Sequence, residues 1–405
     1  MKSLSDIPQF SYAQILLLAL LLTTRPAGAA NTVYAWGGGT IVNPSDFNQA
    51  GQSIIPANLT NAILVAGGWR HSLALKADGT LQGWGDDLSA QTDFPPGSKY
   101  VAIACGRNHS LALQSNGIVL ATGDDTYGQI DVPSSLSNAV AVACGWYHSL
   151  VLKSDGTVQS WGTSTNPADF GSNDNYGQSS VPPGLNNVVA IAGGGWHSVA
   201  LKADGTVSCW GRNDSGESTI PSGLSNVVAI AATTDDSVAL EANGKIVVWG
   251  DNTYGQASVP PNLTNGIATI AAGGWHCLAL KTNGIVVSWG ASVGSYPAVD
   301  YGQTNVPVGL TNVIRIAGGL VNSLVLKGGG PPPIKAFFTS QRFTTNGFLA
   351  TLPTSVGRTY RLEYQNALTN QNWTALPLQF GSGGSQPFVD PTPSSSQRFY
   401  RISRW

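Results

Sequence analysis

All five histidines of the chain, His71, His109, His148, His197 and His276, occupy one repeated position, each followed by a serine or, after His276, by Cys277. A ring of imidazoles is metal-binding chemistry, and imidazole beside a hydroxyl is the base and nucleophile of acyl transfer. The pattern argues against both. Neighbouring side chains of a strand point to opposite faces, so His71 cannot activate Ser72. A residue recurring in unit after unit serves the unit, and the sequence predicts that each histidine hydrogen-bonds the adjacent loop backbone. Paired carboxylates, phosphate loops and zinc spacings are absent, and Asp86-Asp87, Asp124-Asp125 and Asp235-Asp236 do not follow a calcium-loop pattern. The expectation is no catalytic residue, no metal and no cofactor.

The two residues before the histidine slot behave differently. They read Trp69-Arg70, Arg107-Asn108, Trp146-Tyr147, Gly195-Trp196, Thr234-Asp235, Gly274-Trp275 and Leu320-Val321. Trp, Tyr and Arg are the types enriched at interface hot spots. The candidate partner-binding face therefore has Trp69, Trp146, Tyr147, Trp196 and Trp275 as apolar anchors and Arg70, Arg107 and Asp235 as rim. Phe47, Phe170 and Tyr296 contribute from three longer loops. The competing reading is that these Trp only cap their own Gly-Gly loops.

Positioning these residues requires a repeated element. The serine-slot anchors Ser72, Ser110, Ser149, Ser198, Ser237, Cys277 and Ser323 are separated by 38, 39, 49, 39, 40 and 46 residues, a period that means stacked supersecondary units. Each unit reads as a small apolar strand, a loop, a His-Ser strand, an Asp-Gly or Asn-Gly turn, and a strand ending in Trp-Gly. The turns predict two-residue type I′ hairpins. About forty residues per unit fits three strands and a long return segment, marked by an apolar residue and Pro at Pro56, Pro95, Pro133, Pro182, Pro221, Pro260 and Pro307. The first Trp-Gly, at Trp36, lacks a His-Ser strand before it, and the last His-Ser-type strand, Asn322 to Lys327, lacks a Trp-Gly after it. A closed ring pairs them in one unit. The fold class is all-β, a seven-bladed β-propeller closed by its N- and C-terminal strands and followed by a small β-sandwich-like module. The variable loops and all three long insertions share its top face.

Composition agrees with many short strands and tight turns: 49 Gly and 10% charged residues, with a formal net charge of −2 that makes no case for nucleic acid. Lys2, an apolar run from Ile15 to Leu22 and Ala27-Gly28-Ala29 form a signal-peptide pattern, so residues 1–29 are expected to direct export to a secreted, cell-surface or periplasmic location. That run is shorter than the roughly twenty residues of a membrane span, and no transmembrane segment is expected in the mature chain. The ring covers residues 30–327, a Gly/Pro linker 328–333 and the C-terminal β module 334–405. From Ile334 onward seven Lys and Arg face two acids, a net of +5 against −7 for the rest. Cys105 and Cys144 share one repeat position with Gly and Ala in other units; they are read as small buried residues or as a cross-blade disulfide.

The phrases Ala66-Gly67-Gly68-Trp69-Arg70-His71-Ser72-Leu73-Ala74-Leu75-Lys76-Ala77-Asp78-Gly79-Thr80 and Val247-Val248-Trp249-Gly250-Asp251-Asn252-Thr253-Tyr254-Gly255-Gln256 resemble the regulator of chromosome condensation repeat family over about Val33 to Lys327. The resemblance implies a seven-bladed propeller. The best-known eukaryotic role in that family is nucleotide exchange on a small GTPase with chromatin binding, which an export signal and the lack of a basic tail make the last reading. The short units look closer to those of secreted bacterial propellers that inhibit β-lactamases through an aromatic-rich face. Thr359-Tyr360-Arg361-Leu362-Glu363 and Arg398-Phe399-Tyr400-Arg401 look similar to terminal β modules of secreted proteins from environmental bacteria. The leading expectation is a secreted, non-enzymatic propeller that binds a protein partner, such as an extracellular or envelope enzyme. The alternative is a carbohydrate or cell-surface polysaccharide ligand.

Overall fold

The structure is a computed structural model that describes residues 31–43, 46, 48–163, 174–291, 300–328, 340–344, 347–354, 359–365, 374–381, 385–391 and 399–404. The expected signal peptide, Phe47, Phe170 and Tyr296 lie outside the described residues, as does most of the linker. Among the described residues no helix is long and apolar enough to cross a membrane.

Each unit is a three-stranded antiparallel sheet. Blade one consists of β2 (Ala62–Gly67), β3 (His71–Lys76) and β4 (Leu81–Gly85), and blade two of β5 (Tyr100–Cys105), β6 (His109–Gln114) and β7 (Val119–Gly123). Blade three has β8 (Ala139–Cys144), β9 (Ser149–Lys153) and β10 (Val158–Trp161), and blade four β11 (Val188–Gly193), β12 (His197–Lys202) and β13 (Val207–Gly211). β14 (Val227–Ala232), β15 (Asp236–Glu241) and β16 (Ile246–Gly250) make blade five, and β17 (Ile267–Ala272), β18 (His276–Lys281) and β19 (Val286–Gly290) blade six. The seventh joins both ends of the ring: β20 (Val313–Gly318) and β21 (Asn322–Lys327) pair with β1 (Thr32–Gly37), Trp36 lying opposite Ser323. All seven inner strands carry a register shift one residue after their start, as between Ala62 and Leu64. Such a bulge increases the local twist.

The hairpins differ from the expected type I′ turn. Gly79 N donates to Lys76 O at 2.9 Å and Lys76 N to Thr80 O at 2.9 Å, with positive φ at Gly79 (82°) and not at Asp78. This is a type I turn closed by a left-handed glycine. The aspartate acts through its side chain: Asp78 Oδ1 accepts from Thr80 N, and Asp155 and Asp204 do the same for Thr157 and Thr206.

Leu, Val and Ala of the middle strands are fully buried between blades, where Leu73, Leu111, Leu150, Leu201, Leu278 and Leu324 have 0 or near 0% exposure. A polar staple runs beside this packing. In blades one, three and four the Trp that ends the outer strand and the Ser of the middle strand donate to one backbone carbonyl in the preceding return segment: Trp84 Nε1 and Ser72 Oγ to Gln52 O (2.8 and 2.9 Å), Trp161 and Ser149 to Gln129 O, Trp210 and Ser198 to Gln178 O. In blade seven, Trp36 of β1 and Ser323 of β21 share Gln303 O, which ties both ends of the ring to one acceptor.

After the ring, β22 (Ser340–Thr344), β23 (Gly347–Pro353) and β27 (Ser385–Asp390) form one sheet. β24 (Thr359–Gln365) pairs with β25 (Thr374–Ala375), β26 (Gln379–Phe380) and β28 (Phe399–Arg404) in another. They share a core of Phe348, Ala350, Leu352, Tyr360, Leu362 and Phe388. Leu378 of this module is buried against Val140 and Leu152 of the ring, and its N–H bonds Ser154 O in the blade-three turn at 3.0 Å.

Candidate functional site

The structure gives the histidines a partner that the sequence did not. Each Nε2 meets the serine of the next blade, His71 to Ser110 at 2.8 Å, His109 to Ser149 at 3.1 Å, His148 to Ser198 at 2.9 Å, His197 to Ser237 at 3.1 Å and His276 to Ser323 at 2.9 Å. The expected bond to the loop backbone is replaced by one across the blade junction. Ser149, Ser198, Ser237 and Ser323 already donate their hydroxyl protons to the return-segment carbonyls, so Nε2–H must be the donor. An imidazole that donates to a serine cannot accept its proton, and the histidines are fully buried. Burial pushes His71, His148 and His276 down to about 3 and His109 and His197 to about 4. These are structural pairs without access for a substrate.

Two junctions differ. In blade five Asp236 stands where other blades have His, and it faces blade six, which has Cys277 in place of Ser. A Cβ on Gly68 would meet His71 Cε1, so the His slot demands a glycine three residues earlier. Where Asp236 leaves room, Thr233 replaces that glycine and donates to Asp236 Oδ2 at 2.6 Å. Burial pushes the Asp236 carboxyl up to about 8 and Asp235 up to about 6. In blade seven Asn322 faces Ser72, and its buried amide has no hydrogen-bond partner among the described residues.

The loops between inner and middle strands converge on a central opening lined by small residues of all seven blades, with Trp69, Arg107, Trp146 and Leu320 at its mouth. Cys105 and Cys144 lie in its wall as free thiols. Burial pushes Cys105 up to about 12 and Cys144 well above its ordinary value. Loop backbones bond around this rim from blade to blade, as in Gly195 N to Thr234 O, Thr234 N to Gly274 O and Leu320 N to Gly68 O. The corresponding amides of Trp69, Trp146, Gly195, Thr234, Gly274 and Leu320 are therefore occupied. The described residues contain no cluster of three His, Cys, Asp or Glu able to hold a metal.

On the top face five of the predicted residues, Trp69, Arg107, Trp146, Tyr147 and Trp196, come together in one stack. The Arg107 guanidinium sits 4.4 Å from the Trp69 ring and 5.2 Å from those of Trp146 and Tyr147. Trp146 contacts Trp196 at 4.4 Å, and Arg212 lies 5.1 Å from the Trp196 ring. Arg212 binds Asp235 at 2.9 Å and Asp214 at 2.8 Å, and Arg70 reaches Asp86 at 3.5 Å. Rim charges Arg70 and Asp235 are thus engaged within the face. Tyr147 is buried beneath the stack against Tyr127 at 4.6 Å, so it supports Trp146 instead of being presented. Trp275 stands apart, packed on Tyr254 at 6.0 Å. Edges of the insertions hold the rings: Trp69 Nε1 donates to Asn48 Oδ1 at 2.8 Å and Trp196 Nε1 to Asp174 Oδ1 at 3.2 Å. The Trp are therefore half-buried members of an inter-blade stack, more than caps on their own loops.

Some features of the face were not read from sequence. Arg212 carries half the stack, although it directly follows the Trp-Gly of β13. Ile41 (55%), Val42 (69%) and Leu88 (87%) are exposed apolar side chains on the same face. The staple glutamines had a signal in their spacing: Gln52, Gln129, Gln178, Glu217 and Gln303 each precede their serine by 20 residues.

The model of the regulator of chromosome condensation (RCC1) repeat matches residues 62–91, 100–129, 139–166, 188–217, 227–256 and 267–295. No curated protein matches the sequence. Among solved structures, Prp20p from Saccharomyces cerevisiae has a TM-score of 0.57 at 22% identity, covering 75% of this chain and 92% of its own. Human WBSCR16 has a TM-score of 0.54 at 21% identity, covering 74% and 99%. Yeast RCC1 bound to Kap60 has 0.54 at 22%, covering 75% and 89%. At these identities the likeness is one of fold. Each matched segment opens on the inner strand of one of blades one to six, and the seventh blade is divided between two distant stretches of chain; the protein is a β-propeller built on repeats of the regulator of chromosome condensation type.

Proposed function

We propose that this is an exported, non-enzymatic propeller that holds a protein partner on its top face. The observation that carries the reading is the continuous stack from Trp69 through Arg107, Trp146 and Trp196 to Arg212, fixed by cation–π contacts and by hydrogen bonds to Asn48 and Asp174. Rigid aromatic anchors lose little conformational entropy on binding, which is the economy of a protein interface. Propellers of the same fold do meet proteins: Prp20p binds Gsp1p and histones, and yeast RCC1 is bound by Kap60. The buried, proton-donating histidines give no support to an enzyme. Sugar stacking needs open ring faces, whereas Arg107 and Trp196 cover those of Trp69 and Trp146, so the protein reading is preferred to the polysaccharide one. An extracellular or envelope enzyme remains the partner class that export would bring within reach.

Trp146→Ala is expected to weaken partner binding by about 2 kcal/mol or more while the ring keeps its cooperative unfolding. Affinity capture from extracellular and envelope extract, with a Trp69→Ala, Trp146→Ala, Trp196→Ala control, tests it. Equal capture by both baits would move the site off this face, and a bait that retains only polysaccharide would favour the glycan reading.

A further inference from the structure

The two ends of the ring differ in charge. The loops that follow the outer strands carry Asp86, Asp87, Asp124, Asp125, Asp214 and Asp251, and these loops hydrogen-bond the site loops directly, as in Asp86 N to Arg70 O and Asp251 N to Asp235 O. Asp87, Asp125 and Asp214 are exposed. The arginines of that end are Arg70 and Arg212, both ion-paired, and Arg107, covered by three rings. The lysines stand at the opposite end. Lys76, Lys153, Lys202, Lys281 and Lys327 close the middle strands at the hairpin turns, Lys245 lies in a turn, and Lys99 packs against the turn glycine Gly79. Asp78, Asp155, Asp204 and Glu241 share that end, with Lys153 paired to Asp155 and Lys202 to Asp204, and leave it mildly basic. A propeller axis therefore runs from an acidic end to a mildly basic one, and the acidic end bears the aromatic stack and the exposed Leu88, Ile41 and Val42.

Resting on the protein-binding reading, we infer that the occupant of the top face is a cationic polypeptide segment, with lysine or arginine side chains set among aliphatic or aromatic ones. The acidic rim steers such a segment and repels an acidic one. The chain's own basic C-terminal module is held elsewhere, since Leu378 is anchored to the blade-three turn at the lysine end.

Isothermal titration of the full chain with oligolysine and with oligoglutamate, each of about twenty residues, tests the inference at about 20 and about 150 mM NaCl. Oligolysine should bind at low salt and weaken by about tenfold at the higher salt. The Asp87→Asn, Asp125→Asn variant keeps the acceptor oxygens that Thr92 N and Ile130 N use. It should melt like the parent and lose about tenfold in oligolysine affinity, whereas Lys76→Gln, Lys153→Gln should not. Equal affinity for the two peptides, or oligolysine binding indifferent to the rim variant, overturns the inference. A protein captured through Trp146 at an affinity independent of salt would leave the protein-binding reading standing and remove this one alone.

Discussion

Five imidazoles are kept neutral inside the ring by burial, and that gives the molecule an acid limit. Their folded values of about 3 to 4 lie below the ordinary value of 6.5. As pH falls below 6.5 the unfolded chain binds protons that the folded chain refuses, so stability present above 6.5 is lost, at up to about 1.4 kcal/mol per pH unit for each histidine. Asp235 and Asp236 act with the opposite sign, because values raised to about 6 and about 8 make stability decline as pH rises from 4 towards 8. Five groups outweigh two, and the expected profile falls steeply below pH 6 and gently above 6.5. Denaturant midpoints measured from pH 4 to 8 check it, and Asp236→Asn should flatten the upper limb. A midpoint constant down to pH 4 would mean that the histidines are solvated. Which residues were candidates was legible in the sequence, since the repeat stops constraining side chains just before the histidine slot. Their burial was not: Tyr147 lies under Trp196 because neighbouring blades approach so closely, and no local pattern records that distance.

The ring's strands and the positions of its turns, though not the turn type, were nearly all legible because each is bounded by its own chemistry, Trp-Gly at one end and Asp-Gly or Asn-Gly at the other. The inner-strand bulges left no such mark, since any of Ile63, Val101, Val140 or Val189 fits the bulged position. In the C-terminal module β27 was hidden by Pro387, which a strand tolerates when it needs no donor there. The return segments repeat a left-handed residue before the staple glutamine: Gly51, Gly128, Gly177, Gly216, Gly255 and Gly302 have φ between 73° and 86°, and Ala90 is forced to 59°. An L side chain in that region is strained. Ala90→Gly is therefore expected to stabilise the ring, by up to about 1 kcal/mol after the greater freedom of unfolded glycine is subtracted. Urea titration measures it, and a loss of stability would show that the alanine methyl makes a packing contribution larger than its strain.

At the scale of the whole molecule the ring depends on β1. Removing residues 32–37 deletes buried Trp36, a change that costs roughly 3–5 kcal/mol for a large core side chain, and leaves β21 as an open edge. Calorimetry and sedimentation of the truncated chain should show a lowered midpoint and self-association; an unchanged, monomeric species would mean that the ring closes with a two-stranded seventh blade. The His–Ser bonds also divide the circle unevenly. They join blades one to five in succession and blade six to seven, and they are missing where Asp236 meets blade six and where Asn322 meets blade one. By these side-chain bonds the circle is two arcs, one of five blades and one of two, and the joints between them keep loop-backbone bonds such as Thr234 N to Gly274 O and Leu320 N to Gly68 O. Thermal breathing would concentrate at those joints. Trp69, Arg107, Trp146, Trp196 and Arg212 ride together on the long arc, whereas Trp275 rides on the short one and can change its distance from them without disturbing a single ring of the stack.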